Sequence, residues 1–579
     1  MRGSAASTLV PAAVLCCLAV TATTRTASAQ VGADSQQLPP VAPLPAPGAP
    51  PAEGAPPPAP QPPAPAPGTE SPVVLAPVTP VTPVTSVVPV APLSGWHDGV
   101  FYLRDVNDDF RLYVQGRVHV DYLSYFGAGL GNLPPDVALK NGFTLRRVRT
   151  ELSGELFKRW QWQLSGEFGP TSVDNAGART ATRDCSIDPT TGAQTCSDRV
   201  SGVEAAGVRP IPTDAFVNFI ADPLLNIQVG QYLLPFTFEA RISDNTTPFL
   251  ERSLPVRTIG APTTRDIGAM AWGETRNRVF YYSVGVFDGD GPNRPNEDNR
   301  FDLVGRAVVR PLAASSGPLQ ALQIGVSGKA GSRDPHRVGY DAPALTTQGG
   351  YAFWKPTYRD STNRLVHIVP SGDQLGVAAD LFLPFDGFDL TAEAIYSASN
   401  TRETYDGQQL SPFTQRLGDL SGYGYYAQVG AWIVGNRKMI GFPSTAKPAH
   451  VDLDKPSSVV PSHALQALVK FEQLRLAYEG SSRGGVNDAK TPDGDIEVES
   501  FSVGLNYWAT KHVRVTADYV AYLFPNSEPV SASTKGGPVQ TSLNRAQAPA
   551  QSLVAGTNDA ARDGAHTLHE VSMRVGVQF

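Results

Sequence analysis

Arginines are the side chains of this 579-residue chain that are best suited to bind a ligand. A guanidinium presents planar donors that match phosphate and carboxylate oxygens, and rings of basic residues favour anions in a pore. Eight arginines fall in segments where polar and apolar residues alternate: Arg111, Arg117, Arg147, Arg149, Arg306, Arg310, Arg514 and Arg574. These residues are candidates for a basic wall. The alternative is cross-strand pairing with carboxylates of the same segments, namely Asp121, Glu151, Glu155 and Glu167.

A second group of arginines lies where the alternation stops. The stretch 233–263 carries Arg241, Arg252 and Arg257, and Arg265 follows it. Loops that fold into a pore narrow it, and their charges then contribute to its selectivity.

The sequence contains no catalytic or metal-binding constellation. Its nine His are scattered, and no paired-His zinc motif, serine-nucleophile motif or phosphate-binding loop is present. We therefore predict neither an enzyme nor a cofactor. The net charge of −7 and a pI near 5.8 also argue against a nucleic-acid-binding protein.

The first 94 residues are predicted to lie outside the folded domain. Residues 1–29 combine a basic start, an apolar stretch and the sequence Ala27-Ser28-Ala29, which is typical of a secretory signal peptide. Residues 30–94 are rich in Pro, Ala and Val and are predicted to be a disordered periplasmic spacer. A tether that contacts the cell wall fits this composition as well.

The removal of residues 1–29 would leave two cysteines, Cys185 and Cys196. They lie in a stretch rich in Ser, Thr, Gly and Asp. In an exported protein such a pair indicates one disulfide within a loop.

From residue 95 to residue 579 the chain reads as a series of β-strands. In 110–122, for example, Leu112, Val114 and Val118 alternate with Arg111 and Arg117, which is the period of a strand with one apolar face. We count sixteen such segments: 109–124, 143–157, 160–169, 213–221, 224–232, 264–273, 277–288, 300–310, 319–330, 373–384, 387–398, 421–434, 463–480, 496–508, 511–524 and 566–579.

Short and long connections between these segments alternate, which is typical of an outer-membrane barrel. The prediction is an all-β, transmembrane antiparallel barrel of sixteen strands.

Two places depart from this alternation of short and long connections and of apolar and polar residues. The connection 435–461 is long although it falls on the short-turn rim, and the apolar face of 463–480 switches near Glu472 and Gln473. A β-bulge would explain the switch, whereas a hairpin there would change the strand number.

Several segments resemble the phosphate-selective porin O/P family. They include GFTLRRVRTELSGEL (142–156), NIQVGQYLLPFTFE (226–239), FLERSLPV (249–256), VGVFDGDG (284–291), GRAVVRP (305–311) and GLNYW (504–508). The resemblance implies a homotrimeric, sixteen-stranded channel in the Gram-negative outer membrane, through which phosphate or other small anions diffuse. By position it places the anion-binding constriction at Arg241, Arg252 and Arg257, with Arg147 and Arg149 on the wall. Arg265, at the start of the next strand, is a further candidate for the constriction. Leu233 and Leu234 stand where the family pattern has a basic residue.

Three functions therefore follow from the sequence. The first is an anion-selective channel for phosphate-like solutes. The second is a general or differently selective diffusion porin on the same fold, which Leu233 favours. The third is a structural barrel that anchors the Pro-rich segment to the envelope, with a contact to peptidoglycan.

Overall fold

The computed structural model describes residues 92–126, 141–169, 181–187, 194–200, 211–260, 264–296, 298–334, 345–350, 352–354, 357–359, 365–405, 417–441, 448, 450–455, 457, 462–479, 494–523 and 567–579. The predicted signal peptide, 1–29, lies outside the described residues. So does the predicted spacer, 30–94, except for its last three residues.

The described residues form a closed barrel of sixteen antiparallel strands, which confirms the predicted fold and strand number. Each strand pairs with its neighbours along the chain, and β16 closes the barrel against β1 from His569 opposite Phe126 to Gln578 opposite Arg117. The strands are β1 (Phe110–Phe126), β2 (Gly142–Leu156), β3 (Trp160–Glu167), β4 (Ile211–Asp222), β5 (Leu225–Leu233), β6 (Arg265–Glu274), β7 (Phe280–Phe287), β8 (Asp302–Val309), β9 (Gln323–Arg333), β10 (Leu365–Pro384), β11 (Phe388–Tyr405), β12 (Leu417–Val434), β13 (Ala464–Glu479), β14 (Gly494–Thr510), β15 (Val513–Leu523) and β16 (Thr567–Gln578).

The alternation in the sequence becomes a polar inner face and an apolar outer face. On β1, Arg117, His119 and Asp121 are buried, whereas Leu303 on β8 and Val326 on β9 are 54% and 53% exposed on the outside. An apolar outer band is what a barrel needs in order to contact lipid. Aromatic side chains flank this band near both rims, among them the contacting pairs Trp160–Phe219, Phe385–Phe388, Tyr122–Phe143 and Phe126–Tyr519.

The two rims of the barrel differ in the length of their connections: one has mostly short turns and the other has long loops. Four of the tightest turns, at 157–159, 223–224, 385–387 and 511–512, share one rim, while the connections 234–264 and 524–566 leave from the other. The exception is the connection 435–463, which is long and lies on the short-turn rim. It contains a 3-10 turn at Arg437–Met439.

An N-terminal hairpin completes the short-turn rim. The strands Ser94–His97 and Val100–Arg104 pair with each other, and the second pairs with the start of β1. Because β16 ends opposite Arg117, the hairpin covers the edge of β1 that β16 leaves open. Tyr102 of the hairpin packs with Val451 of the connection 435–463.

The predicted bulge at Glu472 and Gln473 is wrong. β13 runs without a register shift against β14, and buried and less buried residues alternate along its whole length. Glu472, Leu474 and Leu476 all face inward and are almost completely buried. The apolar residues of this inner face lie against a loop that fills the lumen, so polarity changes along the strand while the face does not.

The two cysteines lie outside the barrel wall. The strands Ala181–Ile187 and Gln194–Val200 form a hairpin in which the backbone of Cys185 lies opposite that of Cys196. The disulfide stays a prediction.

No helix among the residues that the structure describes is both long and apolar enough to cross a membrane.

Candidate anion-binding constriction

The connection 234–264, which we call the third loop, folds into the lumen. It contains a 3-10 turn at Glu239–Arg241 and a π-helical turn at Val256–Gly260. Phe236 and Leu254 are completely buried, because their side chains join a cluster with inward residues of the wall. The loop therefore occupies the middle of the barrel.

Wall carboxylates bind the backbone of this loop. Glu393 of β11 accepts the N–H of Phe238 at 2.6 Å and that of Glu239 at 3.2 Å. Glu472 of β13 accepts the Leu254 N–H at 2.7 Å. Asp518 of β15 accepts the Leu250 N–H at the same distance. Because these carboxyl oxygens satisfy buried backbone donors of the loop, the hydrogen bonds fix its course.

On the opposite wall the loop carboxylate Asp244 lies among four arginines. Its oxygens are 2.9 Å from Arg252 Nη2, 3.1 Å from Arg147 Nε, 3.6 Å from Arg149 Nη1 and 3.9 Å from Arg117 Nη1. Burial alone would raise the pKa of Asp244, but the attraction of the arginines is stronger and holds the pKa well below its usual value. Asp244 is therefore a permanent anion inside a basic cluster.

A second loop carboxylate, Glu251, binds the adjoining arginines. Its Oε1 lies 3.0 Å from Arg146 Nε and 3.3 Å from both Arg147 Nη1 and Arg574 Nη2. Burial again acts to raise the pKa of Glu251, and these three arginines outweigh it and lower the pKa. The third loop thus meets β1, β2 and β16 through ion pairs between side chains.

A cavity of about 230 Å³ lies where the third loop approaches β1–β6. Gly230 of β5 lies in this part of the wall with a φ of +131°, and a Cβ there would overlap the carbonyl oxygen of Ala215 on β4. Tyr232 and Leu233 then line the cavity together with Phe216. Its charged lining consists of five arginines and three carboxylates: Arg117, Arg149, Arg241, Arg252, Arg265, Glu151, Asp214 and Asp244. The cavity therefore has an excess of positive charge.

Most of the constriction residues predicted from the sequence meet around this cavity. Arg241, Arg252, Arg265 and Arg149 line it, and Arg147 reaches Asp244 from the wall. Arg257 does not join them. It donates to the carbonyls of Thr346 and Thr347 at 2.8 and 2.7 Å, and so links the third loop to a second inward segment, 345–350.

The remaining wall arginines bind protein groups. Arg306 donates to Asp380 through its two Nη atoms, and Arg574 donates to Asp121 through Nε and Nη2. The other partners are Glu274 for Arg310, the Asn506 oxygen and loop carbonyls for Arg514, Asp108 for Arg111 and Glu151 for Arg117. Arg149 likewise pairs with Glu167. Cross-strand pairing, the alternative raised by the sequence, thus describes much of the wall.

Sequence reasoning missed the two loop carboxylates at the centre of the cluster. Asp244 and Glu251 lie in a stretch without alternation, where nothing in the sequence predicts which side chains point toward the wall. The only available signal was their position in an arginine-rich stretch. Within the described part of the chain, no cluster of three or more His, Cys, Asp or Glu side chains could hold a metal ion.

Comparison with known proteins identifies a family. The family model described as phosphate-selective porin O and P matches residues 113–523, well over half of the chain. No curated protein matches the sequence.

Solved structures with a similar fold include the trimer form of OmpT, an outer membrane protein of Vibrio cholerae, at 8% identity and a TM-score of 0.39; the match covers 82% of this chain and 100% of that one. An anion-selective porin from Comamonas acidovorans matches at 12% identity and a TM-score of 0.39, over 81% and 100% of the two chains. The outer membrane channel DcaP of Acinetobacter baumannii matches at 10% identity and a TM-score of 0.39, over 81% and 97%.

Proposed function

Because the chain belongs to the phosphate-selective porin O and P family, we propose that it forms an anion-selective diffusion channel in the Gram-negative outer membrane. Phosphate and similar small anions are the proposed solutes. The channel is passive and carries out no chemical reaction. The constriction is the cavity between the third loop and β1–β6, where Arg241, Arg252 and Arg265 line the passage with Arg149.

The observation that supports this proposal is the charge of the cavity lining. Five guanidiniums face three carboxylates, and all of them lie in a narrow space between protein walls. Charges attract more strongly there than in open water, because the walls exclude solvent and focus the field. An anion that enters this space replaces lost hydration with guanidinium donors, whereas a cation meets net repulsion.

The surroundings of the channel complete the proposal. Residues 1–29 direct export, and residues 30–94 form a periplasmic spacer that reaches toward peptidoglycan. The barrel assembles as a homotrimer. Cys185 and Cys196 form a disulfide in the connection between β3 and β4, where their backbones already lie opposite each other.

The test is a measurement of ion selectivity in a planar bilayer, with the purified full mature chain in a KCl gradient. We expect a reversal potential of the sign that chloride permeation gives, and a block of the current by added phosphate. Arg252→Gln should weaken both. Arg310→Gln is the matched control, since Arg310 binds Glu274 away from the cavity. A wild-type channel without anion preference would contradict the proposal.

One observation favours a general porin as the second candidate. The carboxylate of Asp244 already accepts the donors of Arg252 and Arg147, and apolar Leu233 lines the same cavity. If these features cancel the attraction for solutes, the same bilayer experiment will show conductance with weak selectivity and no phosphate block.

A further inference from the structure

The constriction cavity is lined by apolar side chains as well as by charged ones. The apolar members are Phe216 of β4, Leu233 of β5, Ile242 of the third loop and Pro448 of the connection 435–463, and the ring of Tyr232 joins them. A solute in this cavity therefore meets carbon surface in addition to guanidinium groups. The shape and polarity of an anion, and not only its charge, decide how well it fits.

The apolar part of the lining lies next to a basic side chain. Leu233 is the last residue of β5 and stands directly opposite Arg265 of β6 in the strand pairing. Leu233 is only partly buried, so it presents apolar surface to the cavity. Phe216 and Tyr232 contact each other edge to face, with ring centroids 5.9 Å apart. The Tyr232 hydroxyl donates to the Gln228 carbonyl at 3.3 Å, so its proton is already used.

Most guanidinium donors beside this surface are also used. Arg265 donates to Asp214 through Nε at 3.1 Å and through Nη2 at 2.9 Å. Arg252 donates to the carbonyl oxygens of Glu239 and Ile242 through Nε and Nη2. No residue in the described ranges accepts a hydrogen bond from the Nη1 group of either arginine. These remaining donors suit one carboxylate group, whereas a phosphate needs more partners to replace its hydration.

The cavity also has room for an organic body. A water molecule needs about 10–15 Å³ of such space, whereas the constriction cavity measures about 230 Å³. The apolar surface of an entering solute would leave water and contact Leu233 and Phe216, which is favourable. Inorganic phosphate has no apolar surface and gains nothing from these side chains.

We infer that the constriction prefers organic monocarboxylates with a compact apolar body, of which benzoate is an example, over inorganic phosphate. The carboxylate binds Arg252 and Arg265, and the apolar body lies against Phe216, Leu233 and Ile242. This inference rests on the proposed anion channel and narrows its solutes to one chemical class.

The test compares three added anions in planar bilayers with the full mature chain, at about pH 7, where carboxylic acids are ionised. Benzoate has a carboxylate and an apolar ring, acetate has the carboxylate with a single methyl group, and phosphate has neither. We expect benzoate to block half of the chloride current at a concentration about three- to tenfold lower than acetate or phosphate, because only its ring buries much apolar surface. Leu233→Gln should remove this advantage, and Leu233→Met should retain it.

Three further variants sharpen the test. Ile440→Gln is the matched control, because Ile440 is also apolar and partly buried but lines a different cavity at the short-turn rim. It should be blocked like the wild type. Leu233→Lys places an ammonium beside Arg265 and should shift the preference from benzoate toward phosphate. If Leu233→Gln forms no channels, Ile242→Gln takes its place, since it removes another partly buried apolar side chain of the lining.

The outcomes separate this inference from the proposed function. An anion-selective wild-type channel that benzoate and acetate block equally would overturn the preference for organic anions alone. So would a benzoate advantage that is as large in Leu233→Gln as in Ile440→Gln, because the apolar lining of the constriction would then play no part in it. A wild-type channel without anion preference would overturn the proposed function, and this inference with it.

Discussion

The third loop meets the barrel in two different ways. Toward β11, β13 and β15, wall carboxylates accept backbone N–H groups of the loop, as Glu393 does from Phe238 and Glu239. Toward β1, β2 and β16, loop carboxylates bind wall arginines, as Asp244 does with Arg147. The first kind of contact fixes the backbone whatever the side chains of the loop are. The second depends on individual side chains.

This difference indicates which side of the loop can respond to solutes. A wall carboxyl group that accepts a backbone N–H offers no cationic group to a solute anion. An arginine that binds a loop carboxylate can bind a solute anion instead. We therefore interpret the carboxylate side as the fixed support of the loop and the arginine side as the adjustable face of the constriction.

Removal of a fixed support should have the largest effect. Glu393→Ala leaves the N–H groups of Phe238 and Glu239 without their acceptor. A buried donor that loses its acceptor costs about 1–3 kcal/mol, so the start of the loop should leave its position. We expect a changed single-channel conductance and stronger current noise in a planar bilayer.

A matched control shows whether the support is specific. Glu274 is also a buried wall glutamate, but it lies at the end of β6 near the short-turn rim, where it binds Arg310. Glu274→Ala should leave noise and conductance close to those of the wild type. If Glu393→Ala and Glu274→Ala show the same conductance and current noise, the distinction between a fixed and an adjustable side of the loop is wrong.

The adjustable face should respond in selectivity rather than in conductance noise. Asp244→Asn removes the anion that four arginines share, so their donors become available to solutes. We expect the anion-to-cation permeability ratio to rise about tenfold or less, which corresponds to about 1.4 kcal/mol or less, and phosphate to block at lower concentration. Both are read from bilayer currents in a KCl gradient.

The control for this variant is Asp380→Asn, because Asp380 binds Arg306 and does not line the constriction cavity. The pKa of Asp244 lies well below its usual value, so the group stays charged when the solution is acidified moderately. Wild-type channels at about pH 4 should therefore not acquire the selectivity of the Asp244→Asn variant. Acid-induced selectivity of that size would contradict our view of Asp244 as a permanent counter-ion.

The direction of side chains could be predicted from the sequence in the barrel strands but not in the third loop, and the reason is physical. A strand repeats every two residues, so the inward direction of Arg117, Arg149 and Arg574 follows from the pattern. Loop residues have no such period, and Asp244 therefore carried no signal of its direction. Even in a strand the pattern failed where the lumen was filled. Leu474 and Leu476 face inward against the cluster that the third loop completes, and they made β13 look as though its face had switched.

The smallest predicted effect concerns a side-chain contact at the short-turn rim that a change of pH should make or break. The connection 435–463 reaches β2 through His450, whose Nδ1 lies 2.7 Å from Glu155 Oε1. The hydrogen bond with Glu155 raises the pKa of His450, against burial and the repulsion of Arg111, which lower it. Since the folded pKa is raised, the contact stabilises the connection at pH values below the ordinary pKa of histidine, and this contribution is lost as the pH rises through the raised value.

Amide hydrogen exchange of the segment that contains His450, corrected for the intrinsic effect of pH, measures this loss. We expect exchange to become faster between about pH 6 and pH 9 in the wild type, and His450→Gln to abolish the pH dependence. His463→Gln should retain it, because His463 stacks on Tyr507 at the outer surface and has no carboxylate partner among the described residues. If exchange is the same at both pH values, the ion pair does not hold the connection. Backbone contacts such as the 2.9 Å bond from Arg111 to the Val451 carbonyl would then support it, as wall carboxylates support the third loop.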